Sequence, residues 1–135
     1  MPRILSSEVE LFSAKAATGV SEVLDVRNYR HIVVAVTATV NSTLTFKFQG
    51  SSRDSQPTFS SAQAVLNVWD YVAAYDLNDP NTIITGDTGV SLNNAAVAVN
   101  TRLYLVNVDH LSWFSMEVTA YTDGALSAWA SCAND

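Results

Sequence analysis

The sequence predicts an all-β fold, an antiparallel β-sandwich or jelly roll of about eight or more strands with at most one short helical turn. Three observations lead there. Residues 43–48, Thr-Leu-Thr-Phe-Lys-Phe, set Leu44, Phe46 and Phe48 strictly against Thr43, Thr45 and Lys47. A strand sends successive side chains to opposite faces, so this period of two buries one face and wets the other. Similar segments recur almost to the C-terminus, at spacings of about 8–14 residues. Between them stand turn sequences such as Asn78-Asp79-Pro80-Asn81, Gly86-Asp87-Thr88-Gly89 and Asp123-Gly124, built from the residues that tolerate turn geometry.

Taken in order, residues 8–14 open the chain as a strand and turn through Thr18-Gly19, and residues 22–26 follow before a corner at Arg27-Asn28-Tyr29. Residues 30–40 form a long strand with Ile32, Val34, Val36 and Val40 inward; its other face carries Val33 and Ala35 before turning polar, which suggests that its middle is covered. Asn41-Ser42 then reads as a two-residue loop closing a hairpin with residues 43–49. The Ser-rich stretch 50–61 is a surface loop, and Ser60 or Ser61 is placed to cap a helical turn over residues 62–66.

Residues 67–77 form a second long strand, with Trp69, Tyr71, Ala73 and Tyr75 on the side that aromatic bulk favours for the core. Short strands at 82–85 and 90–92 flank the Gly86–Gly89 turn, with a weak strand at 95–100. Residues 102–108 precede an Asp109-His110 turn. Residues 112–121 then place Phe114, Met116, Val118 and Ala120 inward, and residues 125–132 place Leu126, Ala128 and Ala130 inward. The two long strands near 30–40 and 67–77 are expected at the centre of the sheets.

The 135 residues fit one domain, residues 1–135, long enough to bury its own core. Hydrophobic residues make up 48% and charged residues 15%, the latter below the roughly 25% of typical soluble domains. A surface left to Ser, Thr and Asn suits packing of protein against protein. The net charge of −6 and pI near 4.6 argue against nucleic acid, whose phosphates call for clustered Lys and Arg. The seven basic residues instead scatter from Arg3 to Arg102. No apolar run approaches the ~20 residues of a spanning helix, and no hydrophobic signal-peptide core follows Met1-Pro2-Arg3. The chain is therefore expected to be made in a cytoplasm and to contact no membrane. Its one cysteine, Cys132, forms no internal disulfide and is expected as a buried, inert thiol.

Few constellations carry chemistry. Asp109, His110 and Ser112 sit too close in sequence for a triad, whose members converge from separate loops. Asp70 and Asp76 share a strand face, but six residues apart they stand ~20 Å from one another, beyond the ~5–10 Å of a glycosidase pair. A partner for Asp70 from another strand, such as Glu117, stays open. Asp76, Asn78, Asp79, Asn81 and Asp87 supply the oxygens of a candidate calcium loop, against the plainer reading of turn chemistry; no other cofactor or metal is expected. Trp129 opposes the small inward residues of its strand, and Trp113 opposes Phe114 and Met116. An outward aromatic residue on a β scaffold meets a sugar ring, meets a partner subunit or is covered by a loop. Trp113, Trp129 and Tyr121 are the interface candidates, with a carbohydrate- or receptor-binding module as the alternative.

At Phe46-Lys-Phe-Gln-Gly-Ser51, Asn67-Val-Trp-Asp-Tyr-Val72, Gly86-Asp-Thr-Gly-Val90 and Leu105-Val-Asn-Val108 the chain resembles small virion proteins of tailed bacteriophages, over about residues 20–122. The resemblance implies a non-enzymatic β-sandwich or jelly-roll protein of the head or tail, such as a capsid decoration or stabilising protein. It also implies a homo-oligomer, trimer or higher, that binds major capsid or tail proteins. Such a protein is made in the host bacterial cytoplasm and resides in the virion. The resemblance brings no catalytic residues with it.

Overall fold

A computed structural model describes residues 7–93 and 99–134. Its strands are β1 (Val9–Lys15), β2 (Gly19–Val20), β3 (Leu24–Asp25), β4 (His31–Ala38), β5 (Thr43–Ser51) and β6 (Asp70–Val72), followed by β7 (Ala74–Asp76), β8 (Ile83–Ile84), β9 (Val90–Leu92), β10 (Val99–Asn107), β11 (Trp113–Asp123) and β12 (Leu126–Ala133). They form two sheets of six. Sheet I runs β1-β12-β4-β10-β7-β8; sheet II runs β2-β11-β5-β6, with β3 also on β11 and β9 also on β5. All pairs are antiparallel. The fold is the all-β sandwich expected from the alternation.

The core lies between the sheets. Sheet I contributes Phe12, Ile32, Val34, Val36, Tyr104, Val106, Leu126, Ala128 and Ala130; sheet II contributes Leu44, Phe46, Phe48, Phe114, Met116 and Val118. Phe46 meets Phe48 and Tyr104 edge-on at 5.9 and 5.8 Å, the geometry that aromatic quadrupoles favour. Burial pushes the Tyr104 hydroxyl up to about 12, with the charge of Asp76 adding to the effect. Cys132 is buried on the inner side of β12.

Several local expectations change. Asn41-Ser42 closes no hairpin: β4 lies in sheet I and β5 in sheet II, so the turn carries the chain across the core. Asn41 takes a φ of 64°, while Ser42 is fully buried and its Oγ donates to Thr39 O. Both strands alternate correctly, and alternation fixes a face without fixing a neighbour. Val40, expected inward, is exposed because β4 ends at Ala38.

The expected strand 67–77 is two strands, β6 in sheet II and β7 in sheet I. Val72 and Ala74 face the core from opposite sheets, so the side without Trp69 points inward, contrary to expectation. The segment is also peripheral, since β6 edges sheet II and β7 is next to the edge of sheet I. No helix covers residues 62–66; Ala64 and Asn67 instead exchange backbone hydrogen bonds in a tight turn. A bulge at Thr119, where the β11–β5 register shifts, turns Ala120 outward and brings Tyr121 against the core. The strand expected at 95–100 falls largely outside the described residues. The β11–β12 turn needs glycine at position 124, where φ is +95° and a Cβ would stand 2.1 Å from Ser42 Oγ.

Candidate functional site

Two outer faces are available on a sandwich, and here they are finished differently. On sheet II the outward row of β5 continues from Lys47 to Gln49 and Ser51, beside Ser115 and Glu117 of β11 and Tyr71 of β6. The loop over residues 52–69 folds back across this row. Gln49 is fully buried and donates from Nε2 to Phe59 O at 3.1 Å and to Glu117 Oε1 at 3.2 Å. Its Oε1 has no hydrogen-bond partner among the described residues. Tyr71 donates its hydroxyl to Glu117 Oε1 at 2.7 Å. Burial, then the Glu117 hydrogen bond and charge, push that phenol up to about 12.

Asn67 staples the covering loop. Its Oδ1 accepts from Thr58 N, and its Nδ2 donates to the carbonyls of Thr58, Ser61 and Ala62. Trp69 packs edge-on to Tyr71 at 5.0 Å and beside Phe59 at 6.0 Å, with its indole N–H donated to Ser61 O. A cleft of about 360 Å³ remains, lined by Phe59, Gln63, Trp69, Tyr71 and Glu117 among others. Asp70 is tied to Gln63 and to the backbone N–H of Tyr71, whereas Glu117 is tied to Tyr71 and Gln49, so the two carboxylates take different partners. At the tip of the loop Val65 and Leu66 are exposed, Leu66 by 97%.

Sheet I has no such cover among the described residues. Its cross-strand registers align two adjacent outward rows. One runs Glu10, Trp129, Ala35, Leu103, and extends to Leu77, whose N–H donates to Leu103 O. The other runs Ser131, Val33, Leu105, Tyr75, Ile83. Eight of these ten side chains are apolar or aromatic. Tyr75, Leu77, Leu103 and Ile83 are between 39% and 57% exposed, and they stand side by side. Large apolar patches are uncommon on monomers, and they mark contact surfaces.

The interface candidates are not brought together. Trp129 lies half-buried within the sheet I face, between Glu10 and Ala35. Trp113 is on the other sheet, under the Arg27 guanidinium at 5.0 Å and with its indole N–H donated to Arg53 O. Arg27 in turn forks onto Asp25, and that guanidinium holds the Asp25 carboxyl below its ordinary range. Tyr121 packs against the core and donates its hydroxyl to Gly124 O at 2.7 Å.

Of the calcium candidates, Asp76, Asn78 and Asp79 share one turn, in which Asp79 N donates to Asp76 O. Asp76 Oδ1 accepts from Asn78 N and Asp79 Oδ2 from Thr82 Oγ1, while Asp87 lies beyond β8 in the next turn. No cluster of three acidic, His or Cys ligands exists among the described residues. His110 is exposed at a φ of 78°, with Nε2 3.9 Å from Asp109.

The sequence does not mark Leu77, Leu103, Leu105 or Ile83 as surface residues, and it puts Tyr75 on the side expected to face the core, whereas Tyr75 is exposed. The signal is present, since Leu103–Val106 is apolar on both faces, as is the middle of residues 30–40.

No protein-family model matches the chain, and no curated protein matches it in sequence. Among solved structures the chain is similar to the SPBc2 prophage-derived protein YomS, with a TM-score of 0.67 and 13% identity over 99% of this chain and 96% of that one. The likeness is one of fold, and it extends over almost the full length of both chains.

Proposed function

We propose that the chain is a non-enzymatic structural protein of a tailed-phage virion, acting by self-association and by attachment to capsid or tail proteins. The observation that carries the reading is the apolar outer face of sheet I, on a chain whose opposite face is covered by its own loop. The whole-length fold likeness to a prophage-derived protein supports the phage origin, as does the resemblance in the four strand-and-turn segments. The polar side chains Tyr71, Glu117 and Gln49 at the aromatic cleft under residues 59–69 are committed to one another, which favours a structural role over a catalytic one.

The test is the protein content of gradient-purified particles of a phage encoding this chain. The proposal expects the protein at a fixed copy number that survives salt washing. Its absence from intact particles overturns the reading.

The cleft under residues 59–69 favours a second reading, a carbohydrate- or receptor-binding module, because it sets an aromatic pair beside a carboxylate and an amide. Against it, Trp69 is buried and its N–H is used, so stacking on a sugar needs the loop to shift. Quenching of tryptophan fluorescence by a glycan, abolished by Tyr71→Ala, is the result that selects it.

A further inference from the structure

We infer that the outer face of sheet I is where a second copy of this chain packs, face to face and about a two-fold axis. The inference rests on the self-association proposed above and names its surface. Strands lie ~4.8 Å apart and rise ~3.3 Å per residue, so six strands and four outward rows span roughly 24 by 20 Å, on the order of 500 Å² in plan. Side-chain relief brings that face within reach of the ~800 Å² that each partner contributes to a standard interface.

Charge permits the contact. Each copy carries −6, yet Glu10, on the edge strand, is the one formal charge in the two apolar rows. Two like-charged chains therefore meet where each carries only Glu10, at the margin of the face, and a strongly charged partner finds little to pair with. Trp129 is positioned as an anchor, a large ring flanked by Ala35 and the small residues of its own strand. Twisted sheets that stack face to face do so with strands about 30° apart.

The edges argue for a face rather than strand addition. β1, at one edge of sheet I, is broken by two register shifts and by Ala14 at a φ of 50°. β8, at the other, has two residues; β2, β3, β6 and β9 have two or three. Short and bulged edges of this kind block edge-to-edge pairing. A two-fold contact uses the same patch on both copies, so one surface suffices.

Sedimentation of the full chain across the micromolar range tests this, with the variants Leu103→Lys, Leu103→Met and Val65→Lys. The wild type and Leu103→Met are expected as pairs or even multiples. Leu103→Lys weakens association by about a hundredfold or more, and Val65→Lys, on the far loop, leaves it unchanged. If Leu103→Lys does not fold, Ile83→Lys makes the same test at a more exposed position. A wild type that stays monomeric overturns the inference, including one that binds lipid vesicles instead. An oligomer indifferent to both lysines overturns it while leaving the virion reading in place. A lysine-sensitive pair formed by a protein absent from particles does the reverse.

Discussion

The outer faces of the two sheets begin from the same alternation and reach opposite ends. On sheet II the outward positions are Lys47, Gln49, Ser51, Ser115 and Glu117, and 18 residues of loop (52–69) return to cover them. Fully buried Gln49 and Ser115 are there outside the hydrophobic core, and burying such groups is tolerated only where hydrogen bonds replace water. On sheet I the outward positions include Val33, Ala35, Leu103, Leu105, Tyr75 and Ile83, with Glu10, Thr37, Ser127 and Ser131 around them, and no loop lies over them among the described residues. A polar face sealed by the chain itself and an apolar face left open are the reverse of what an isolated monomer favours. The difference teaches that alternation alone does not set how an outer face is finished, and it is the ground for the proposal that a second copy packs on sheet I.

Substitutions on the two faces should therefore separate stability from association. The largest effect is expected at Trp69→Ala, which removes a buried ring from between Phe59 and Tyr71 and should cost about 3–5 kcal/mol in urea unfolding. Trp129→Ala should do the opposite. It should weaken association by about 2 kcal/mol while the dissociated monomer keeps its circular dichroism and loses about 1 kcal/mol or less. Equal stability losses at the two positions would erase the distinction between the faces.

Asn67→Ala tests what seals sheet II. Loss of its four side-chain hydrogen bonds should cost about 1–3 kcal/mol and raise amide exchange over residues 58–67, with no change in oligomer mass.

The smallest effect is on pH dependence. Tyr71 and Tyr104 both have hydroxyls raised to about 12, chiefly by burial. The unfolded chain releases those protons first, near the usual phenol value of about 10. Their contribution to stability is therefore fully present below pH ~10 and is lost as pH rises toward 12. Glu117→Gln removes the carboxylate beside Tyr71, so its phenolate should appear at lower pH in an ultraviolet titration, while Tyr104, which Glu117 does not touch, should be unmoved.

Much of this was legible in the sequence, and the rest was hidden for definite reasons. Alternation placed residues 30–40, 43–49, 112–121 and 125–132 in strands, with Ile32, Val34, Val36, Leu44, Phe46, Phe48, Phe114, Met116, Val118, Leu126, Ala128 and Ala130 correctly inward, because these stretches bury one face with a period of two. Gly50 and Ser51, expected in the loop, extend β5. Neighbours were not legible: Asn41-Ser42 looks like a hairpin loop, yet it crosses between sheets, since strands on opposite sides of a core alternate in the same way as strands paired side by side. The switch at Ala73 was hidden because Val72 and Ala74 keep a single alternation while changing sheets. Tyr121 was misplaced by one bulge residue, Thr119, which leaves no mark in composition. The apolar outer face was half visible in Val33 and Ala35, but Leu103, Tyr75 and Ile83 come from distant segments, and only the strand order sets them side by side.

The most direct test of the open-face account is hydroxyl-radical footprinting of the wild-type chain, read by mass spectrometry in dilute and concentrated solution. The account predicts that Trp129, Leu103, Leu105 and Tyr75 become protected together on concentration, while Val65, Leu66 and Trp113 label equally at both. Labelling of the sheet I residues that ignores concentration, or protection confined to the Val65–Leu66 loop, would contradict it.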